Sequence, residues 1–345
     1  MIHSEFDVII LSLGDICNFQ CKYCSQERRT STGIKNKKLS RKLINFFDKY
    51  NSRRKTTVIF LGGEPLLYFD LIKEFVNIFK NKFSYRITSN GSLLDQNIVD
   101  FINENNIGFS LSHDGEETEG LRNFDVLKNP KIKNLFLKIK NKRINVCLTS
   151  LHKNAEMIFD YFSKIELSDV WIKINPISNF SGSNACTELA DLSEEQYLNY
   201  YKYLLDCYEK YLKGNIYYWR QAENVSWRIK NYKKYLDKNK DWCWCSVCDC
   251  GGKMLNLDIE GNVLLCHNTN EQVGTVNDLY TKVYNAFISK KEESNIICQS
   301  CEARNFCSQK CILIRSQKGI EQFCRNKKAF MKALLSWENK TKLSI

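Results

Sequence analysis

The sequence lacks several features that would assign it to a simple class. It contains no run of 18 or more apolar residues, which argues against a membrane-spanning helix. Residues 1–12 have no basic stretch and no small-residue cleavage site, so no secretory signal is predicted. With 345 residues, 43% of them hydrophobic and 26% charged, the chain is neither a disulfide-stapled miniprotein nor disordered. We therefore expect a cytoplasmic protein of about two domains.

Cysteine is abundant, with 16 residues in the chain. Disulfides do not persist in a reducing compartment, so dense cysteine usage there indicates metal or redox chemistry. Three cysteines lie together near the amino end, and ten lie between residues 243 and 324. Cys147, Cys186 and Cys207 stand alone, and we expect them to be small buried hydrophobic residues.

The formal net charge of +12 favours an acidic partner, either nucleic acid or an acidic peptide. Basic residues cluster at 28–42 and 131–143. A general composition bias is the alternative, because Lys and Asn are frequent along the whole chain and no block of six like charges occurs.

Short apolar runs alternate with amphipathic segments over the first half of the chain. The predicted strands are 6–13, 57–61, 85–88, 108–111, 144–149 and 170–174, and the predicted helices are 39–50, 69–83, 94–104 and 154–164. This alternation predicts an α/β fold with a parallel sheet, and an open arc or a closed barrel would both fit it.

The second half of the chain has a different pattern. A longer helix is predicted at 195–212, and the Tyr-, Trp- and Lys-rich segment 214–242 marks a boundary. Short strands at 253–265 and a helix at 277–291 precede a cysteine-dense stretch that has too little apolar periodicity to build a core without bound metal. We predict four parts, namely 1–213, 214–242, 243–325, and a final helical segment, 326–345.

Cys17, Cys21 and Cys24 have the spacing C-x3-C-x2-C, directly after the first predicted strand. Thiolates this close in sequence can bind three irons of a [4Fe-4S] cluster and leave the fourth iron without a protein ligand. Zinc would need a fourth ligand or nitrogen and oxygen donors, and no nearby His supplies one. The spacing favours an iron-sulfur cluster with one open position.

Polar, glycine-containing sequences follow the next three predicted strands. They are Gly62-Gly63-Glu64-Pro65, Ser89-Asn90-Gly91 and Ser112-His113-Asp114-Gly115. Glycines at a strand end let a ligand approach the backbone, and Glu64 can accept a hydrogen bond from an ammonium group. The carboxyl ends of barrel strands form the active face, so these sequences predict one common site.

Together these motifs resemble the radical S-adenosylmethionine (SAM) superfamily, over about residues 6–215. The resemblance implies a partial (β/α)6 barrel and a [4Fe-4S] cluster whose open iron SAM chelates. It also implies that reduction of SAM yields a 5′-deoxyadenosyl radical, which abstracts a substrate hydrogen. The electrons for the reductive cleavage of SAM are expected to come from an external donor such as flavodoxin or ferredoxin.

The resemblance also implies the residues that contact SAM. Tyr23 would lie beside the adenine, and Glu64 would accept from the amine, with Gly62, Gly63 and Pro65 in the same motif. Ser112 and Arg122 would hold the carboxylate or ribose, and Ser89, Asn90 and Asn175 would add polar contacts. For Arg122 the alternative is a surface salt bridge.

A second cysteine pattern resembles the SPASM domain, over about residues 243–324. It runs C-x10-G-x4-C from Cys250 to Cys266 and then C-x2-C-x5-C-x3-C-x12-C from Cys298 to Cys324. The resemblance implies two auxiliary [4Fe-4S] clusters, and thus three clusters in all. We expect the inner cluster on Cys245, Cys250, Cys266 and Cys311, with Cys243 and Cys248 as rivals of Cys245, and the outer cluster on Cys298, Cys301, Cys307 and Cys324.

SPASM-type relatives modify peptides and proteins, so the resemblance implies a peptide substrate, changed by cross-linking, epimerisation or oxidation. A sulfatase-maturase-like side-chain oxidase and a small-molecule dehydrogenase are the alternatives. Where the sulfatase-maturing branch has an acidic base, this chain has His267, which could act as a base or only as a hydrogen-bonding residue. Asp114 is a second candidate base.

Recognition of the peptide has several possible sources. No winged-helix recognition domain precedes Cys17, so we expect a separate precursor-recognition protein, a short substrate or a role for the segment 214–242. No nucleic acid or membrane partner is expected. A zinc-ribbon nucleic-acid-binding protein is the rival class, and it leaves both Cys17–Cys24 and Gly62–Pro65 unexplained.

Overall fold

A computed structural model describes residues 5–24, 38–177, 188–236, 253–269, 271–278, 280–292, 301–303, 307, 311, 313–314 and 316–341. The chain divides into two compact units. Unit 1 comprises residues 1–112, 122–143 and 248–292, and unit 2 comprises residues 113–121, 144–247 and 293–345. The four-part division expected from the sequence stays a prediction.

Nine strands and ten α-helices occur in the described residues. The strands are β1 (Val8–Ser12), β2 (Thr57–Leu61), β3 (Ser84–Ser89), β4 (Gly108–Ser112), β5 (Lys142–Leu148), β6 (Trp171–Pro176), β7 (Met254–Asp258), β8 (Asn262–Leu264) and β9 (Gln272–Thr275). The helices are α1 (Arg41–Lys49), α2 (Phe69–Phe79), α3 (Gln96–Glu104), α4 (Thr118–Arg122), α5 (Pro130–Lys138), α6 (Ala155–Lys164), α7 (Glu194–Leu212), α8 (Trp219–Leu236), α9 (Tyr280–Glu292) and α10 (Gln317–Thr341).

Unit 1 is built on a mainly parallel sheet with the strand order β4-β3-β2-β1-β7-β8-β9. The strands β1 to β4 are parallel neighbours in chain order. The strand β7 joins the free edge of β1, also in parallel, from Val8↔Met254 to Ser12↔Asp258. The segment predicted to begin a separate cysteine-rich domain therefore contributes a strand to the sheet that holds the first motifs.

Alternate residues of these strands have different surroundings on the two faces of the sheet. One face is apolar and packs on helices, with Phe60 beside Phe75 of α2 and Phe109 beside Phe136 of α5. The opposite face carries Arg86, Thr88, Ser110 and Ser112, which the strand register places on one side. We call this second set the polar face.

Unit 2 contains β5 from Ile144 onward, β6 and the helices α6, α7, α8 and α10, whereas Lys142 and Arg143 of β5 belong to unit 1. Its helix α10 is joined to α7 through Gln322, whose side-chain amide donates to the Tyr197 hydroxyl at 3.3 Å and to the Ala190 carbonyl. Tyr201 donates to Asn326 at 2.8 Å. No helix in the described part of the chain has the length and hydropathy needed to cross a bilayer.

The helix α8 lies in the segment that the sequence predicted to be a boundary. Its Asn224 side chain accepts from the Ile174 amide at 2.8 Å and donates to the Ile172 carbonyl at 2.7 Å, so it substitutes for a neighbouring strand at β6. Arg220 is buried and donates to the Leu167 carbonyl at 3.2 Å. The start of this segment is thus part of the structural core of unit 2.

The substitution Asn224→Ala is expected to destabilise the protein by about 1–3 kcal/mol, because it leaves backbone groups of β6 without partners. Urea unfolding followed by circular dichroism would measure the change. The exposed Asn97 on α3 offers a matched control, and Asn97→Ala should change the free energy of unfolding by less than about 0.5 kcal/mol. Equal stabilities for the two variants would contradict the role given to Asn224.

Candidate active site

The loop after β1 carries Cys17, Cys21 and Cys24 as thiols. The Cys17 sulfur accepts from the Phe19 amide at 3.4 Å, and the Cys24 amide donates to the Cys21 carbonyl at 3.1 Å, which closes a turn. Burial raises the pKa of Cys17 from 9.0 to about 11, and the charges of Glu64, Cys21 and Cys24 add to the increase. The three thiols therefore lie on one short loop, whose turn is closed by the bond from Cys24 to Cys21.

In the described residues, no three His, Cys, Asp or Glu side chains converge as ligands of a single metal ion. A four-iron cluster takes one thiolate on each ligated iron, so its ligands surround a cube instead of converging on one point. Three neighbouring thiols on one loop fit that requirement better than they fit a single ion.

The raised pKa of Cys17 predicts slow alkylation of this thiol in the cluster-free protein, because only the thiolate reacts. Two pKa units correspond to roughly 100-fold less thiolate at pH 8. Iodoacetamide should therefore label Cys17 about 100-fold more slowly in the folded chain than in urea, and the gap should close as the pH approaches 11. Peptide mass spectrometry would measure both rates, and equal rates at pH 8 would contradict the prediction.

Gly62 and Gly63 bring this loop against the end of β2. The Gly63 amide donates to the Gly14 carbonyl and the Glu64 amide to the Ile16 carbonyl, both at 2.8 Å. A Cβ on Gly63 would lie 2.1 Å from the Ile16 oxygen, and one on Gly62 would lie 2.4 Å from the Gly14 oxygen. The sequence predicted that these glycines let a ligand approach the backbone closely. In the structure, the backbone of the cysteine loop itself approaches them.

The Glu64 carboxylate is buried, with 1% of the residue exposed. It accepts from the Leu66 amide at 2.9 Å, the Ser89 hydroxyl at 2.7 Å and the Asn90 amide at 2.8 Å. Burial raises its pKa, and these three hydrogen bonds oppose the increase. A carboxylate has about four acceptor sites, so one site is left for a further donor.

A ring of side chains ties the cysteine loop to the end of β3. Asn90 donates to the Asn18 side-chain oxygen at 2.9 Å, and Asn18 donates to the Ser92 hydroxyl at 2.8 Å. Ser92 closes the ring by donating to the Asn90 side-chain oxygen at 2.7 Å. Neither Asn18 nor Ser92 was predicted from the sequence, although Asn18 lies within the cysteine motif itself.

Arg122, at the end of α4, reaches the same loop. Its guanidinium carbon lies 5.3 Å from the centre of the Tyr23 ring, and its Nη1 lies 3.9 Å from the Cys21 sulfur. The residue is 6% exposed, which does not fit the alternative of a surface salt bridge. Arg122 and Tyr23 are thus brought together beside the cysteines.

The remaining predicted contacts lie at strand ends. Ser112 is half-buried at the end of β4, and Pro65 is buried and begins a short 3-10 helix after Glu64. Asn175 is an exposed residue of β6 in unit 2.

Asp114, one of the two candidate bases, is fully buried in unit 2. Its carboxylate accepts from the Cys147 amide at 2.9 Å, and its carbonyl lies 3.0 Å from Nε2 of His152. The buried His113 lies beside it, with Nδ1 2.9 Å from the Thr118 hydroxyl. These contacts explain how the loop after β4 is held in place.

The second cysteine pattern is partly described. Cys266 is buried after β8 in unit 1, with its sulfur 3.9 Å from Nδ1 of His267, the other candidate base. The described cysteines of unit 2 in this pattern are Cys301, Cys307, Cys311 and Cys324. The predicted ligands Cys245, Cys250 and Cys298 lie outside the described residues.

Residues 11–152 match the family model described as the Radical SAM superfamily. This segment contains the cysteine loop, Glu64 and Arg122, so the sequence match coincides with the site built above. The match confirms the radical SAM domain that the sequence predicted, over residues 11–152, and with it an enzyme. A radical SAM domain implies a [4Fe-4S] cluster and SAM, and the thiols of the cysteine loop and the remaining acceptor site of Glu64 fit both groups.

Two relatives extend over most of the chain. The radical SAM cyclopropyl synthase TigE of Paramaledivibacter caminithermalis is 24% identical over 89% of this chain and 68% of its own length. The cysteine-type anaerobic sulfatase-maturating enzyme of Clostridium perfringens is also 24% identical, over 91% of this chain and 92% of its own length.

A solved structure shows the fold. Native anSMEcpe with bound AdoMet and Cp18Cys peptide matches with a TM-score of 0.68 and 19% identity, over 97% of this chain and 98% of the other. This likeness confirms the predicted fold class, a partial (β/α)6 barrel followed by a cysteine-rich region.

Proposed function

We propose that this enzyme reductively cleaves SAM and abstracts a hydrogen atom from a peptide substrate during post-translational modification. When bound, the cluster and SAM supply a 5′-deoxyadenosyl radical. The observation that carries the proposal is the buried Glu64 carboxylate, which is fixed by three donors and lies next to the cysteine loop.

The protein residues have distinct roles in this proposal. Cys17, Cys21 and Cys24 hold three irons, and the backbone bonds from Gly63 and Glu64 fix their loop. The remaining acceptor site of Glu64 takes the SAM amine. A guanidinium such as that of Arg122 suits a carboxylate, and the Tyr23 ring offers a surface for stacking against the adenine.

We infer two auxiliary clusters from the second cysteine pattern, with the ligand sets expected from the sequence. Bound metal would also explain how a segment of low apolar content becomes ordered. The roles of His267 and Asp114 as bases belong to this proposal. The contacts that hold Asp114 favour His267, because Asp114 already supports the backbone of β5.

The relatives support a peptide substrate. One relative is a cyclopropyl synthase, another matures sulfatases, and the solved structure of anSMEcpe has a bound peptide. The alternative, side-chain oxidation in another protein, draws on the sulfatase-maturating enzyme. An external flavodoxin or ferredoxin would supply electrons, and a separate recognition protein would present the peptide.

The proposal can be tested with anaerobically purified, iron-loaded protein. With dithionite and SAM, the protein should form 5′-deoxyadenosine, detected by liquid chromatography and mass spectrometry. Peptides encoded beside its gene are the candidate substrates, and deuterium from a labelled peptide should appear in the 5′-deoxyadenosine. If SAM is not cleaved, the proposed activity is wrong. If SAM is cleaved but none of these peptides transfers deuterium, only the assignment of a peptide substrate is contradicted.

The auxiliary clusters give a separate prediction. Cys301→Ala should retain SAM cleavage within about threefold and lose modified peptide, because the SAM-binding loop is intact. Total iron should fall from about twelve to about eight atoms per chain. Unchanged iron and product would remove Cys301 from the ligand set.

A further inference from the structure

Arg86 is a cation on the polar face of unit 1. The strand register pairs it with Ile59 on β2 and with Gly108 on β4. A Cβ on Gly108 would lie 3.0 Å from the guanidinium carbon of Arg86 and 3.1 and 3.3 Å from its two terminal nitrogens. The guanidinium therefore lies directly over the Gly108 backbone, and glycine makes room for it.

The Arg86 guanidinium has no hydrogen-bond or ion-pair partner among the residues that the structure describes. Its nitrogens are not sealed from solvent, unlike Nε of the buried Arg220. Burial lowers the pKa of Arg86, with no opposing effect from a described carboxylate. The charge of this half-buried residue is thus left without local compensation.

A second guanidinium lies close to the first. Arg143, on β5, donates from Nε to the Ser110 hydroxyl of the polar face at 2.6 Å. Burial and the charge of Arg86 together lower the pKa of Arg143 to about 10. Two neighbouring cations in a partly desolvated place repel each other, and a bound anion would remove that cost.

We propose that Arg86 and Arg143 form a subsite on the polar face that binds a carboxylate of the substrate. The planar guanidinium fork matches a carboxylate in geometry, which a compact ammonium group does not. Ser110 lies two residues before Ser112 on the same face, so the subsite is about 7 Å deeper along β4 than the predicted SAM contact. The net charge of +12 also favours an acidic partner.

This inference deepens the proposed function and rests on it for the identity of the carboxylate. Two kinds of group in a peptide carry a carboxylate, namely an Asp or Glu side chain and the carboxyl terminus. Binding of the anion itself needs neither reduced cluster nor SAM, so the subsite can be tested separately from the radical chemistry.

Modification with 2,3-butanedione tests the subsite in the full-length, iron-loaded protein. Peptide mass spectrometry would follow the modification of Arg86, with the exposed Arg54 as an internal control. Sodium acetate should slow the modification of Arg86 at least about tenfold relative to sodium chloride of equal ionic strength, and should leave Arg54 unchanged. No modification of Arg86, no protection, or equal protection by chloride would overturn the proposal.

Two variants sharpen this test. Arg143→Met keeps Arg86 and removes the second guanidinium, whereas Gly108→Ala keeps both charges and shifts the Arg86 guanidinium by a few tenths of an ångström. Arg143→Met should weaken protection of Arg86 by acetate about tenfold or more, Gly108→Ala should weaken it by less, and Arg54→Met should not change it. If protection survives in both variants, the two arginines do not act as one site.

Short peptides distinguish the sources of the carboxylate. N-acetyl-Ala-Glu-Ala-amide carries only a side-chain carboxylate, N-acetyl-Ala-Ala-Ala only a terminal one, and N-acetyl-Ala-Gln-Ala-amide neither. Protection of Arg86 by the first or the second peptide identifies the source of the carboxylate. If neither peptide protects Arg86, the assignment of the subsite to a substrate carboxylate is wrong. SAM cleavage, measured on the same protein, reports separately on the proposed function.

Discussion

Cys24→Ala should reduce the formation of 5′-deoxyadenosine at least about 1000-fold, because a cluster held by two thiolates does not stay bound to the loop. Iron analysis should show a loss of about four atoms per chain. The electron paramagnetic resonance signal that shifts on addition of SAM should also disappear. Together, the three measurements connect the loss of activity to one cluster.

Cys207→Ala is the matched control for this prediction. Cys207 is 1% exposed in α7, and burial raises its pKa to about 11, so it is an inert, neutral thiol. The control variant should keep its iron and its SAM cleavage, at a cost of about 1 kcal/mol in stability. SAM cleavage that survives Cys24→Ala would overturn the role of the first cysteine loop.

Gly63→Ala should strongly reduce SAM cleavage without removing any predicted cluster ligand. Its Cβ would lie 2.1 Å from the Ile16 carbonyl oxygen and 2.7 Å from that of Asp15, and backbone atoms cannot rotate away as a side chain can. The cysteine loop must move, so we expect a loss of about 1–3 kcal/mol in stability and at least about 100-fold in SAM cleavage.

Gly120→Ala is the control for the effect of an added methyl group. A Cβ at Gly120, in α4, meets no heavy atom within 4 Å. This variant should retain SAM cleavage and should leave the urea midpoint unchanged or slightly raised, because Ala favours a helix more than Gly does. If Gly63→Ala behaved like Gly120→Ala, the contact between the loop and β2 would not position the cluster.

Much of the sheet could be predicted because its strands are short apolar runs. The six predicted strands correspond to β1 through β6, and α1, α2, α3 and α6 lie within the predicted helices. The helices α5 and α8 were missed, since Lys and Asn residues interrupt their apolar positions and α8 lies in the segment predicted to be a boundary. The pairing of β7 with β1 joins residues about 250 apart, and no local pattern encodes it.

In the candidate site, too, local sequence patterns identified some residues and missed those that depend on long-range contacts. Spacing identified Cys17, Cys21, Cys24 and Glu64, because ligand chemistry restricts the residue types that can serve. Spacing could not identify Asn18 or Ser92, whose roles depend on hydrogen bonds across more than 70 residues of sequence. Arg86 was missed because an isolated arginine in a strand is not a motif, and only the strand register brings it near Arg143.

The pairing of β7 with β1 also bears on how the chain is synthesised. One edge of β1 stays unpaired until residues 254–258 have left the ribosome, and an open strand edge is a template for aggregation. A chain ending at residue 213 would keep the complete cysteine loop and yet expose this edge permanently. In the folded chain, residues 254–258 therefore cover this edge of β1, whether or not the region that contains them binds a cluster.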